Sequence, residues 1–214
     1  SFIHYFKRIS GRYIQLHISN IRGQIVLYYA GLRPAFYPVE QKGSFECSDD
    51  LYNKIHEVCV RTLHLCMHEH YEDTPWREQA LYSMDSKNQA LCGYYCFGEY
   101  DFPQACFTLL GYGLKEDGYL ELCAPAESTI TIPSFSMAWI IELADHLMYS
   151  GRIENARAAL PKIKKMMDIY IKNISDDLLV TPIGDRYWHF YEWAQGLDSS
   201  SIFTKDGGLK NIRF

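Results

Sequence analysis

The hydrophobic period of this chain changes once, and that change limits what it can build. Arg12-Tyr13-Ile14-Gln15-Leu16-His17-Ile18 alternates apolar and polar residues, the two-residue repeat of a half-buried strand. Ile25-Val26-Leu27-Tyr28-Tyr29 is a second β-rich run, and Asn20 to Gly23 supplies turn residues between the two. From Ser44 onward the spacing is helical. Leu51, Ile55, Val58, Cys59, Thr62, Leu65 and Cys66 form one stripe at intervals of three and four after the helix-start signal Ser48-Asp49-Asp50. Two or three strands do not fold alone. Residues 1–42 are therefore expected to be the last strands of a β-sandwich plus a linker over 34–42, with 43–214 forming a helical domain.

Further helices are predicted from about Ser86 to Phe97, over Pro103 to Leu110, through Ile140 to Met148 with Gly151 as C-cap, and from Ile153 to Ile174 with Pro161 as a kink or early residue. Long loops rich in charged and aromatic residues separate them, at 69–83, 112–133 and 178–201. Helices alternating with decorated loops suit a mainly α fold, a partial (α/α)6 toroid whose loops build the site. No fixed-period repeat is present. An incomplete toroid leaves an apolar flank open, so self-association through that flank or through the strands is expected.

Charge and cysteine usage exclude several classes. The net charge is −5 with no basic block, so nucleic acid is not an expected partner. No apolar run is long enough to span a bilayer and no signal peptide is visible, which leaves a soluble protein of cytoplasm or periplasm. The chain opens at Ser1 without a methionine and reads as a piece of something longer. The seven cysteines follow neither a disulfide framework nor zinc-ligand spacing and read as reduced, buried hydrophobes. His64 and His68 are four apart, but no third ligand accompanies them, so no metal is expected. No cofactor is expected either.

Chemistry concentrates in His70-Tyr71-Glu72-Asp73-Thr74-Pro75-Trp76-Arg77-Glu78-Gln79-Ala80-Leu81-Tyr82-Ser83-Met84-Asp85. Four carboxylates surround Trp76, Arg77 and Tyr82, and Pro75 discourages a continuous helix. Carboxylates crowded beside aromatic rings raise one another's pKa by repulsion and desolvation, as a general acid requires. The same residues also fit a solvated, salt-bridged loop.

This stretch resembles the signature of bacterial α-L-rhamnosidases, which Asp73, Pro75, Arg77, Glu78 and Asp85 match in type. Gly43-Ser44-Phe45-Glu46-Cys47-Ser48-Asp49 resembles the opening of that family's catalytic domain, Gly11-Arg12-Tyr13 the last strands of its preceding β-domain, and Phe190-Tyr191-Glu192-Trp193 one of its loops. The resemblance implies an inverting glycosidase acting on a rhamnosyl glycoside. It makes Glu78 the general acid, Asp73 and Asp85 holders of sugar hydroxyls, and Arg77 an orienting cation. Tyr82, where the family usually has a tryptophan, would pack on the sugar's methyl group. Trp188, Glu192 and Trp193 would supply another wall, and the general base would lie beyond Phe214. Leu81 to Met84 departs from the family's G-W-x-G, and residues 132–136 lack its acidic residue. A degenerate sugar-binding domain and a helical interaction scaffold are the alternatives. The scaffold predicts that Asp73, Glu78 and Asp85 point apart.

Overall fold

A computed structural model describes residues 8–175, 178–179 and 182–199. Five helices carry the fold: α1 (Asp50–Leu65), α2 (Ser83–Cys96), α3 (Asp101–Tyr112), α4 (Pro133–Ser150) and α5 (Ile153–Lys172). Four two-residue strands follow as antiparallel pairs: β1 (Ile174–Ser175) with β2 (Leu178–Leu179), and β3 (His189–Phe190) with β4 (Asp198–Ser199).

Local chemistry sets the helix ends. Asp49 Oδ1 accepts from Leu51 N at 2.8 Å and starts α1. Pro133 opens α4 with its φ preset for helix, and Gly151 ends it at φ 69°, a left-handed cap. Pro161 lies within α5 on an exposed face, where water can hydrate the carbonyl left without a donor.

α2 and α4 share the most extensive helix contact, and they run parallel. Ser83 Oγ bonds Phe135 O at the N-terminal ends, Ser86 Oγ donates to Glu142 Oε2 at 2.8 Å one turn on, and Tyr94 Oη lies 3.0 Å from His146 Nδ1 near the C-terminal ends. α3 and α5 flank this pair, with Trp139 Nε1 of α4 donating to Phe107 O of α3 at 2.9 Å. Parallel inner helices linked by outer ones give successive hairpins of an (α/α)6 toroid. The core gathers Met67, Tyr71, Leu81, Phe107, Trp139 and Met166, each at most 2% exposed. Burying a side chain of this size contributes roughly 1.5–3 kcal/mol.

Three expectations need correction. Residues 12–18 and 25–29 form no ladder: no strand occurs among residues 8–49, and Tyr13 and Tyr28 are more than 90% exposed. A strand exists only through its hydrogen-bonded neighbour, and these runs have none among the described residues. The stripe of α1 reaches the core only at its C-terminal end, where Leu65 is half-buried and Cys66 is buried. Leu51, Ile55 and Val58 are exposed, while Val60 and Leu63 are buried. Only Cys66 and Cys106 of the seven free cysteines are buried; Cys59 and Cys92 face outward.

Candidate active site

The signature stretch folds as a loop tied at its neck. Asp73 N donates to Ala80 O and Asp73 Oδ1 accepts from Ala80 N, both at 3.0 Å. Inside the neck Gln79 adopts φ 54°, a left-handed backbone uncommon for a side-chain-bearing residue, and its Nε2 donates to Pro75 O at 2.9 Å. Glu78 therefore sits beside the tightest turn of a closed loop. Its Oε2 accepts from Tyr82 Oη at 2.9 Å.

Tyr82 immediately precedes α2, with Ser86 N donating to its carbonyl at 2.9 Å. Three residues on, Asp85 lies in the first turn of α2. Burial, then the neighbouring Asp73 and Glu78 carboxylates, push its carboxyl up to about 6. Asp73 and Glu78 thus both lie near enough to Asp85 to disfavour its charge. Cys123, on the loop between α3 and α4, has its thiol raised first by burial and then by Glu121, Glu78 and Asp73. That loop is tied to the site where Ala124 N donates to Leu81 O at 3.0 Å.

An aromatic wall continues from Tyr82. Its ring meets Phe135 edge-on at 6.2 Å, Phe135 meets Phe190 at 6.0 Å, and Phe190 lies 5.2 Å from Trp188 and 4.7 Å from Trp193. Trp188 N donates to Thr131 O at 2.8 Å, and its indole N–H donates to Asp198 Oδ1 at 2.7 Å. Asp117 fastens the same segment by accepting from Arg186 Nε at 2.9 Å and Tyr187 Oη at 3.0 Å.

The remaining expected site residues are placed differently. Trp193 is 70% exposed at the outer end of this wall, and Glu192 accepts only from its neighbour's amide, Trp193 N, at 2.7 Å among the described residues. Arg77 is exposed and pairs with no carboxylate among the described residues. Glu72, adjacent to Asp73, is fully buried and engaged by Arg8 and by His68 Nδ1, the latter at 3.0 Å. Burial pushes its carboxyl up to about 7, against the pull of Arg8. Gln79, Cys123, Phe135 and Asp198 join the site from the structure alone. A polar residue after Glu78 and an aromatic near Pro133 were the sequence's only hints of them.

The helical hairpins and their decorated loops define a six-hairpin glycosidase architecture. The bacterial alpha-L-rhamnosidase 6 hairpin glycosidase domain matches residues 40–207, and the chain belongs to that family. Among curated proteins, an alpha-L-rhamnosidase of Formosa agariphila is 41% identical over 66 residues, covering 30% of this chain and 7% of that protein. Among solved structures, a GH78 family rhamnosidase of Bacillus sp. GL1 superposes with a TM-score of 0.65 at 32% identity, over 68% of this chain and 15% of that one. A Klebsiella oxytoca rhamnosidase solved with rhamnose bound shares the fold, with a TM-score of 0.63, 24% identity and coverage of 78% of this chain and 32% of that one. The chain thus spans a small part of these relatives' length.

Proposed function

We propose that this chain carries the general-acid half of an inverting glycosidase that removes terminal α-L-rhamnose. The observation that carries the reading is the electrostatic coupling of Asp73, Glu78 and Asp85 at the start of α2, with Tyr82 beside them. Glu78 delivers its proton to the glycosidic oxygen as the bond from that oxygen to the sugar's anomeric carbon breaks, and the bonding pair leaves with the oxygen. A water attacks the opposite face and gives its proton to a base. The base must stand far enough away to admit that water, and it is expected beyond Phe214. Asp85 and the free oxygen of Asp73 bind sugar hydroxyls, and Tyr82 and Trp188 enclose the ring. Exposed Leu51, Ile55 and Val58 on α1 favour self-association of residues 1–214.

The test uses the protein that contains this chain. A natural rhamnoside leaves as an alkoxide unless protonated, whereas a nitrophenol departs with little help. Glu78→Gln should slow the natural substrate by roughly 10²–10⁴-fold and the nitrophenyl one far less. Equal slowing of both would remove Glu78 as the acid. Binding of rhamnose without turnover in the unaltered protein would instead identify a sugar-binding domain.

A further inference from the structure

The carboxyl of Glu78 has one hydrogen-bond partner among the described residues, and the two partners are held very differently. Glu78 is exposed on a loop fixed at its neck, with three side-chain torsions of its own. The Tyr82 ring is gripped by rigid parts of the fold. Tyr82 caps the start of α2, and its ring packs in a cluster with Ile132 and Phe135 at the start of α4 and Phe190 of β3. The Tyr82 hydroxyl is thus a fixed point 2.9 Å from a carboxyl oxygen of an exposed side chain. Burial, and next the bond to Glu78, raise the phenol well above its ordinary range, so it keeps its proton and acts as a donor.

We infer that Tyr82 is the positioning residue of the general acid, its hydroxyl pinning Glu78 Oε2 so that Oε1 presents the proton to the glycosidic oxygen. The inference rests on the assignment of Glu78 as acid. A donated hydrogen bond occupies Oε2 in both protonation states. In the acid form that oxygen is the carbonyl, which still accepts, so the transferable proton resides on Oε1. The same bond is stronger to the carboxylate than to the neutral acid, so it eases proton release. Tyr82 does this from before α2, and the other ionisable groups near the pair are Asp85 on α2, Cys123 on the loop before α4, and Asp73 on the acid's own loop. Cys123 stays a neutral thiol, because burial raises it. A wall residue serving only as a hydrophobic surface needs no hydroxyl.

The experiment is a pH profile of Tyr82→Phe, which keeps the ring and removes the donor, and of Tyr82→Leu, which keeps an apolar side chain and also has no donor. In the protein containing this chain, Tyr82→Phe should move the alkaline limb of kcat/KM on a natural rhamnoside upward by about one pH unit. It should lower kcat about tenfold with KM nearly unchanged, while nitrophenyl rhamnoside hydrolysis changes little. Tyr82→Leu should move the alkaline limb in the same way. An unmoved limb in both variants, whether KM rises alone or nothing changes, overturns the inference and leaves Tyr82 a wall. Glu78→Gln is measured beside them. If it leaves the alkaline limb in place, the assignment of the acid itself fails, independently of Tyr82.

Discussion

Asp73 clips its own loop to Ala80: its amide donates to Ala80 O and its Oδ1 accepts from Ala80 N, each at 3.0 Å. One carboxylate thus performs two tasks, closing the loop with one oxygen and leaving the other for a ligand. Asp73→Asn keeps an acceptor for Ala80 N but removes the charge, while Asp73→Ala removes both. Hydrogen exchange at the Ala80 amide should accelerate in Asp73→Ala by roughly fivefold, as expected for a lost bond of about 1 kcal/mol, and change little in Asp73→Asn. Both variants should slow natural and nitrophenyl rhamnosides comparably. Equal exchange in the two variants would show that the clip is not held by the side chain.

Asp85 should place function and stability in opposition. Its folded carboxyl is raised to about 6 by burial and by Asp73 and Glu78, above the ordinary aspartate value of the unfolded chain. The folded state therefore binds more protons between about pH 4 and 6, and stability is lost as pH rises through that window. Asp85→Asn removes this cost. It should raise stability by about 1–2 kcal/mol at pH 7.5 and by almost nothing at pH 4, read from melting temperature, while rhamnoside hydrolysis falls. A destabilised variant at pH 7.5 would contradict the electrostatic reading.

His146 sets an acid limit of opposite sign. It is buried between α2, α3 and α5, and burial, then Arg152, lower it to about 4 against the opposing pull of Asp101. The unfolded chain takes up a proton near pH 6.5 that the folded one refuses until about 4. Its contribution is complete above the unfolded value and is lost as pH falls through this interval, by about 3 kcal/mol. His146→Leu strands the Tyr94 hydroxyl and so starts lower, but its melting temperature should vary less between pH 6.5 and 4. An unchanged slope would remove His146 as the source.

Gly43 has a packing reason. A Cβ there would overlap the Tyr95 carbonyl oxygen in the last turn of α2, and Lys42 N and Gly43 N both donate to Cys96 O, at 2.9 and 2.8 Å. Gly43→Ala must push this segment away and break those bonds, costing about 1–3 kcal/mol. Denaturant unfolding checks this, and a cost below about 0.5 kcal/mol would show that the segment docks loosely.

Much of this protein was legible along the chain, for a local reason. The five helices follow from apolar spacing and from caps such as Asp49 and Gly151, signals that act within one or two turns. The crowding of Asp73, Glu78 and Asp85 was likewise readable, because one short loop and one helical turn carry all three. Relations between segments were not. Periodicity says that α1 has an apolar stripe but not what covers it, and here the core takes Val60 and Leu63 while Leu51, Ile55 and Val58 stay open. Alternation marks 12–18 as fit for a strand, yet a ladder needs a partner that pattern cannot supply. The bond from Tyr82 to Glu78 depends on a left-handed Gln79 and on Phe135, brought from the start of another helix. Tertiary packing decided those placements, because burial and hydrogen bonding between distant segments depend on distances that exist only once the chain has folded.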